Sequence, residues 1–86
     1  MAVSVTLNNL ASAWGALGDH AKKKDMLERA LAIREKHYGP DHVAVSATLN
    51  NLANAWGALG DHAKKKDRLE RALAIEEKHT TGLITW

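Results

Sequence analysis

Apolar residues recur at helical spacing in two long segments that are copies of each other. Residues 7–33 reappear as residues 49–75, so the sequence repeats with a period of 42 residues. Between residues 3–37 and their copy, 45–79, the pairs that differ are Val5/Ala47, Ser12/Asn54, Met26/Arg68 and Arg34/Glu76. Such a fixed period indicates a repeat architecture, in which each unit buries its apolar face on a neighbouring unit.

The first copy predicts a helical hairpin. Apolar positions three and four residues apart predict a helix over residues 3–17, with Ser4 as a candidate N-cap. Gly18 can end that helix in the left-handed conformation, and Asp19 suits the N-cap of a second helix that ends near His37. A turn this short makes the two helices antiparallel.

The joint between the copies contains Gly-Pro-Asp, which breaks a helix, and Asp41 can cap the helix that follows. The second copy then predicts helices over about 42–59 and 62–79. We therefore predict an all-α fold, an α-solenoid of four helices in two stacked antiparallel hairpins. The predicted single repeat domain spans residues 1–86, with repeat 1 at 1–42, repeat 2 at 43–79 and an apolar C-terminal tail at 80–86.

Charged residues are confined to the second helix of each hairpin and the joints beside it. Every Lys, Arg, Asp and Glu lies within residues 19–41 or 61–78. In an α-solenoid, one helix of each hairpin lines the inner surface and the other lines the outer surface. We expect the uncharged helices to form the inner layer and the charged helices to form the outer one.

Residues 3–79 resemble the 42-residue tetratricopeptide-type repeats of kinesin light chains and related bacterial and eukaryotic proteins. The similarity lies in LNNLANAWGALGDHAKKKDRLERALAI and the joining HYGPDH, and the positions that pack in such repeats are Leu7, Leu10, Ala11, Trp14, Gly18, Leu27, Ala30, Leu31 and Ile33. Lys23 and Lys65 depart from the pattern, because a small alanine usually stands there. Either their alkyl stems run along the helix interface, or the hairpin opens at that point.

The resemblance implies a non-catalytic protein-interaction scaffold with a concave groove for extended or helical peptide segments of a partner protein. Helical angle places polar residues away from the apolar stripe, and the candidate groove residues are Asn8, Asn9, Ser12, Asn50, Asn51 and Asn54. Asparagine offers both a donor and an acceptor to a peptide backbone. Some relatives hold a terminal carboxylate with a cation on the inner helix, but these inner helices contain no Lys or Arg.

The second hypothesis is a self-associating structural module, natural or engineered, with no external ligand. About three repeats are usually needed to bury a solenoid core, and this chain has two. We expect a homo-oligomer, a symmetric homodimer with helices exchanged or not, formed through Leu69, Leu73, Ile75, Leu83, Ile84 and Trp86. The tail either covers its own last hairpin or docks on a second chain.

Other chemistries are less favoured. Nucleic-acid binding through the lysine runs 22–24 and 64–66 ranks last, because carboxylates dilute them and no aromatic residue is interleaved. The five histidines share no helix face and the chain has no cysteine, so we expect no metal and no cofactor. No nucleophile and base are suggested, so we predict no enzyme activity. With neither a signal peptide nor a membrane span in the sequence, we expect a cytoplasmic protein.

Overall fold

The structure, a computed structural model, describes the backbone of residues 2–84 and the side chains of residues 2–79. Its four helices are α1 (Ala2–Ala16), α2 (His20–Tyr38), α3 (Val43–Ala58) and α4 (His62–Ile84), and this part of the chain has no strand. Consecutive helices pack against each other, α1 on α2, α2 on α3 and α3 on α4. The predicted fold of two stacked helical hairpins is therefore confirmed.

The core has two clusters, and α3 belongs to both. In the first cluster, Leu27 of α2 packs with Leu52 and Ala55 of α3. In the second, Val45 and Leu49 of α3 pack with apolar residues of α4. Helix α3, which packs against both α2 and α4, carries more buried residues than any other described helix.

The turn inside each hairpin is fixed by glycine and aspartate, as predicted. Gly18 and Gly60 have φ of 83° and 85°, a region in which a side chain would be strained. Asp19 Oδ1 accepts a hydrogen bond from the Lys22 amide at 3.1 Å. Asp61 Oδ1 accepts the equivalent bond at 3.0 Å. Each carboxylate satisfies one of the free amides at the start of its helix.

The joint between the hairpins is built differently from our prediction. The N-cap of α3 is His42, whose Nδ1 accepts a hydrogen bond from the Ala44 amide at 3.0 Å. Asp41 does not cap the helix, because its carboxylate turns towards α4 and accepts a hydrogen bond from Lys78 Nζ at 2.8 Å. The Asp41 carbonyl also lies 3.0 Å from His79 Nε2. The joint therefore ties the two hairpins together.

Both chain ends also differ from the sequence prediction. Helix α1 begins at Ala2, so Ser4 lies inside its first turn, where it is buried, and is not an N-cap. Helix α4 continues past the predicted end at His79 to Ile84, since no Gly-Pro-Asp break follows it. The backbone of residues 80–84 thus extends α4. The side chains of Leu83 and Ile84, and all of Trp86, lie outside the described residues, so the predicted role of the tail stays a prediction.

Lys23 and Lys65, which stand where such repeats usually have alanine, are accommodated between the helices of each hairpin because a glycine faces each of them. A methyl group added to Gly57 would lie 2.8 Å from Lys65 Cδ, and one added to Gly15 would lie 2.8 Å from Lys23 Cδ. Such distances are too short for a carbon–carbon contact. Both lysines are half-buried, so their stems run along the hairpin interface, as the first of the two interpretations stated.

Gly57→Ala tests this pairing. Alanine is favoured over glycine in a helix by up to about 1 kcal/mol. In a Lys65→Ala background, Gly57→Ala should therefore raise the free energy of unfolding, because the methyl group meets no lysine stem. With Lys65 present the gain should vanish or reverse. Urea unfolding of the four chains measures the coupling, and an equal effect in both backgrounds would contradict the close contact.

The Asp41–Lys78 contact predicts a pH effect. The hydrogen bond from Lys78, together with its charge, holds the pKa of Asp41 below the ordinary value of 3.8. Because the pKa is lower in the folded state, the contact stabilises the fold above about pH 3.8 and is lost as pH falls through the folded-state pKa. Lys78→Met should move the Asp41 pKa back towards 3.8 in an NMR titration. Lys36→Met, the same change in the first hairpin, should leave it in place.

Candidate functional site

The exposed polar side chains of α1 and α3 form the candidate peptide-binding face. Asn9 and Ser12 are exposed on α1, and Asn51 and Asn54 are exposed at the equivalent positions of α3. The repeat therefore presents the same pattern of amide and hydroxyl groups twice, on helices without charged residues. These groups can donate hydrogen bonds to a ligand and accept them from it.

Asn8 and Asn50, which the sequence placed in the same groove, serve the fold. Asn8 Nδ2 donates to the Ser4 carbonyl at 3.0 Å. Asn50 Nδ2 makes the same bond, at 3.0 Å, to the Ser46 carbonyl one turn earlier in its helix. Both side chains are half-buried. The structure therefore divides the six predicted groove residues into two that bond within their own helix and four that face solvent.

One of the differing pairs changes how α3 is held. In the first hairpin, Arg34 reaches from α2 to α3 and donates to Thr48 Oγ1 at 3.0 Å and to the Ala44 carbonyl at 3.3 Å. Glu76, its equivalent on α4, cannot donate and instead accepts from Asn50 Nδ2 at 3.3 Å. The two faces of α3 are thus anchored by opposite charges. The sequence shows that Arg34 and Glu76 differ between the copies. It does not show that both side chains reach α3.

The lysine runs lie over tryptophan rings. Lys22 Nζ is 4.2 Å from the centroid of the Trp14 ring, and Lys64 Nζ is 4.4 Å from that of Trp56. Lys24 Nζ, from the neighbouring hairpin, lies 4.9 Å from the Trp56 ring. A cation held over an aromatic face contributes about 0.5–1 kcal/mol at an exposed site. No aromatic residue is interleaved with these lysines in sequence, but the hairpin turn brings the rings beneath them.

An apolar groove runs along the outer side of α4. Leu69 and Leu73 are its exposed apolar residues. The groove is shallow and largely open to solvent, with about 330 Å³ of space beside these leucines, and its other lining residues on α4 are His62, Lys65, Lys66 and Glu70. Ile75, which we expected on this surface, is not part of it. Only 3% of Ile75 is exposed, because it faces α3 and packs with Val45 and Leu49.

The described residues contain neither a metal-binding cluster nor a membrane-spanning helix. No group of three or more metal-ligating side chains lies close enough together there to hold a metal ion. Among the same residues, no helix is long and apolar enough to cross a membrane. The absence of a cofactor and of enzyme activity stays a prediction.

The fold is a stack of two helical hairpins, and the exposed polar face of α1 and α3 carries no charged side chain. These features define a helical-repeat scaffold. The family model for the tetratricopeptide repeat matches residues 2–78, so the chain belongs to the tetratricopeptide repeat family. The resemblance inferred from the sequence is therefore confirmed. Proteins of this family generally mediate protein–protein interactions and are typically non-catalytic. Comparison with curated proteins finds no significant match.

The two roles of asparagine can be separated by stability. Asn50→Ala and Asn51→Ala gain the same helix propensity, but only the first removes hydrogen bonds of the fold. A net hydrogen bond contributes about 1 kcal/mol. The free energy of unfolding in urea should therefore be lower for Asn50→Ala than for Asn51→Ala by about that amount. Equal stability of the two variants would mean that Asn50 is as free to bind a ligand as Asn51.

Proposed function

We propose that the chain is a non-catalytic interaction scaffold that binds a peptide segment of a partner protein across the exposed side chains of α1 and α3. The residues assigned to this role are Asn9, Ser12, Asn51 and Asn54. The observation that supports the proposal is their contrast with Asn8 and Asn50, whose amides bond to their own helix. The four remaining side chains repeat at equivalent exposed positions, as a surface that tracks an extended ligand requires.

The chemistry of this face suggests what it would recognise. A carboxamide can donate to a peptide carbonyl and accept from a peptide amide, so successive asparagines can pair with the main chain of an extended segment. Since neither α1 nor α3 carries a charged side chain, recognition would depend little on the charge of the peptide or on salt. The remaining exposed positions, among them Val5 and Ala47, would accept small apolar side chains.

The experiment begins with peptide display on the immobilised chain. Affinity of a selected peptide is then measured by fluorescence anisotropy for the parent chain, for Asn51→Ala/Asn54→Ala, and for Lys36→Ala, a change on the exposed face of α2. Loss of two hydrogen bonds should weaken binding by about tenfold or more in the first variant. The control should bind as the parent does. Undiminished binding by the double variant would refute the proposed face.

Salt dependence separates this function from binding through the lysines. A partner bound by the lysine runs would lose affinity steeply as salt is raised. The affinity of the proposed peptide should change little with salt. Neighbouring carboxylates weigh against the lysine alternative, because Lys66 pairs with Glu70 at 3.2 Å and Lys24 pairs with Asp25 at 3.3 Å.

A second candidate function, self-association, is favoured by the exposed groove on α4. A homodimer would cover Leu69 and Leu73 without any external ligand. This surface lies on a different helix from the asparagine face, so peptide binding and self-association are compatible functions.

A further inference from the structure

The interface between the two hairpins has two halves, and the chain carries an uncovered copy of each half. Inside the chain, Leu27 of α2 is 1% exposed and Leu52 of α3 is 0% exposed, because they pack in one cluster. Their equivalents one repeat away are Leu69 of α4, 37% exposed, and Leu10 of α1, 43% exposed. The side chains are the same, and only the neighbouring helix is missing.

Other apolar positions repeat this contrast. Val45 of α3, in the cluster that Leu31 of α2 also contacts, is fully buried, whereas Val3 at the same position of α1 is 58% exposed. Leu31 of α2 packs against both core clusters, whereas Leu73 of α4 is 53% exposed and lines the groove. The free face of α1 therefore matches the face by which α3 packs on α2, and the groove of α4 matches the surface that receives it.

The polar contacts between the hairpins also have unused copies. Arg71 of α4 forms an ion pair with Glu35 of α2. The equivalent residues are Arg29 and Glu77, and neither has an ion pair among the side chains that the structure describes. One lies on the first hairpin and the other on the second, so each can meet the other only across two molecules stacked in the same order.

The cation–aromatic contact between the hairpins also has an unused copy. Lys24 of α2 lies over Trp56 of α3. Its equivalent, Lys66, lines the α4 groove, and the equivalent tryptophan is Trp14 on α1. A second copy with its α1 in the groove would thus supply a ring for Lys66 and an arginine for Glu77, besides its leucine and valine.

We propose that the α4 groove binds α1 of a second copy of this chain, so that molecules associate head to tail and each junction repeats the internal packing of α3 on α2. This inference goes beyond peptide binding and uses a different surface. The junction is heterologous, since the two surfaces in contact differ, and it leaves one free groove and one free α1 on every assembly that does not close into a ring.

The junction is weaker than the internal interface that it copies. Arg68 stands where Met26 packs against the core, and Glu76 stands where Arg34 donates to α3. The bond between Asp41 and Lys78 has no counterpart at the junction either, because the Gly-Pro-Asp joint occurs once. Association is therefore reversible and depends on concentration.

The test uses one variant at each end of the full chain, Leu10→Glu on α1 and Leu73→Glu on α4. Both leucines are already exposed, so the fold tolerates the change, as circular dichroism will verify. Mass is measured by light scattering after size exclusion. The parent should exceed 9.4 kDa increasingly as concentration rises, and each variant should remain at 9.4 kDa. An equimolar mixture should reach twice that mass and no more, because it contains one intact groove and one intact α1.

Charge exchange gives a second readout that leaves the leucines intact. Arg29→Glu and Glu77→Arg should each weaken association several-fold, because like charges then face each other across the junction. The double variant carrying both changes should recover the parent's association. Glu28→Arg, the same charge change as Glu77→Arg, should have no effect, because the equivalent residue Glu70 makes its ion pair within its own helix, with Lys66.

Three results would overturn the proposal. The first is a parent that stays monomeric at every concentration. The second is a Leu10→Glu variant that still dimerises while Leu73→Glu does not, which would show a symmetric pairing of α4 with α4. The third is a mixture of the two variants that fails to combine. None of these outcomes bears on the asparagine face, whose test is peptide affinity.

Discussion

The packing of α3 between α2 and α4 is the constraint on which the rest of the structure depends. A helical hairpin of this kind buries one side of each helix and leaves the other side apolar. Helix α3 resolves this for both hairpins, because Leu52 covers α2 while Val45 and Leu49 cover α4. Leu31 packs against both clusters and links them. Without α3 on it, Leu27 of α2 would be left exposed, as its copy Leu69 is on α4.

Position in the stack, and not composition, decides what each helix exposes. Helices α1 and α3 are almost identical in sequence, yet α3 is buried on two sides and α1 on one. The same holds for α2 and α4. The repeat allows a direct comparison of the same side chain with and without a neighbouring hairpin. Leu52 is buried because α2 covers it, whereas Leu10, its copy on α1, is exposed.

The sequence predicted the fold well because its signals are local or periodic. The repeat gave the number of hairpins, and Gly-Asp gave the turns, which Asp19 and Asp61 build as expected. Contacts between helices were not predictable in the same way. Asp41 was expected to cap a helix and turns to Lys78 instead, because a short carboxylate can satisfy either partner and only the fold decides between them. The same reason applies to the asparagines: helical angle placed them on the polar side of α1 and α3, but did not show that Asn8 and Asn50 bond to their own backbone. Whether the other candidates bind a peptide stays a prediction.

The two proposed surfaces would be coupled if molecules stack in register. One chain offers a peptide only two asparagine-bearing helices, and each hydrogen bond would contribute about 1 kcal/mol net, so the proposal implies low affinity for a single chain. A head-to-tail junction would place α1 of the next molecule one repeat beyond α3, which would extend the same face without any new kind of residue. A peptide that spans the junction would bind two molecules at once and gain from effective concentration. By thermodynamic linkage, that peptide would then favour stacking by the same factor by which stacking favours the peptide.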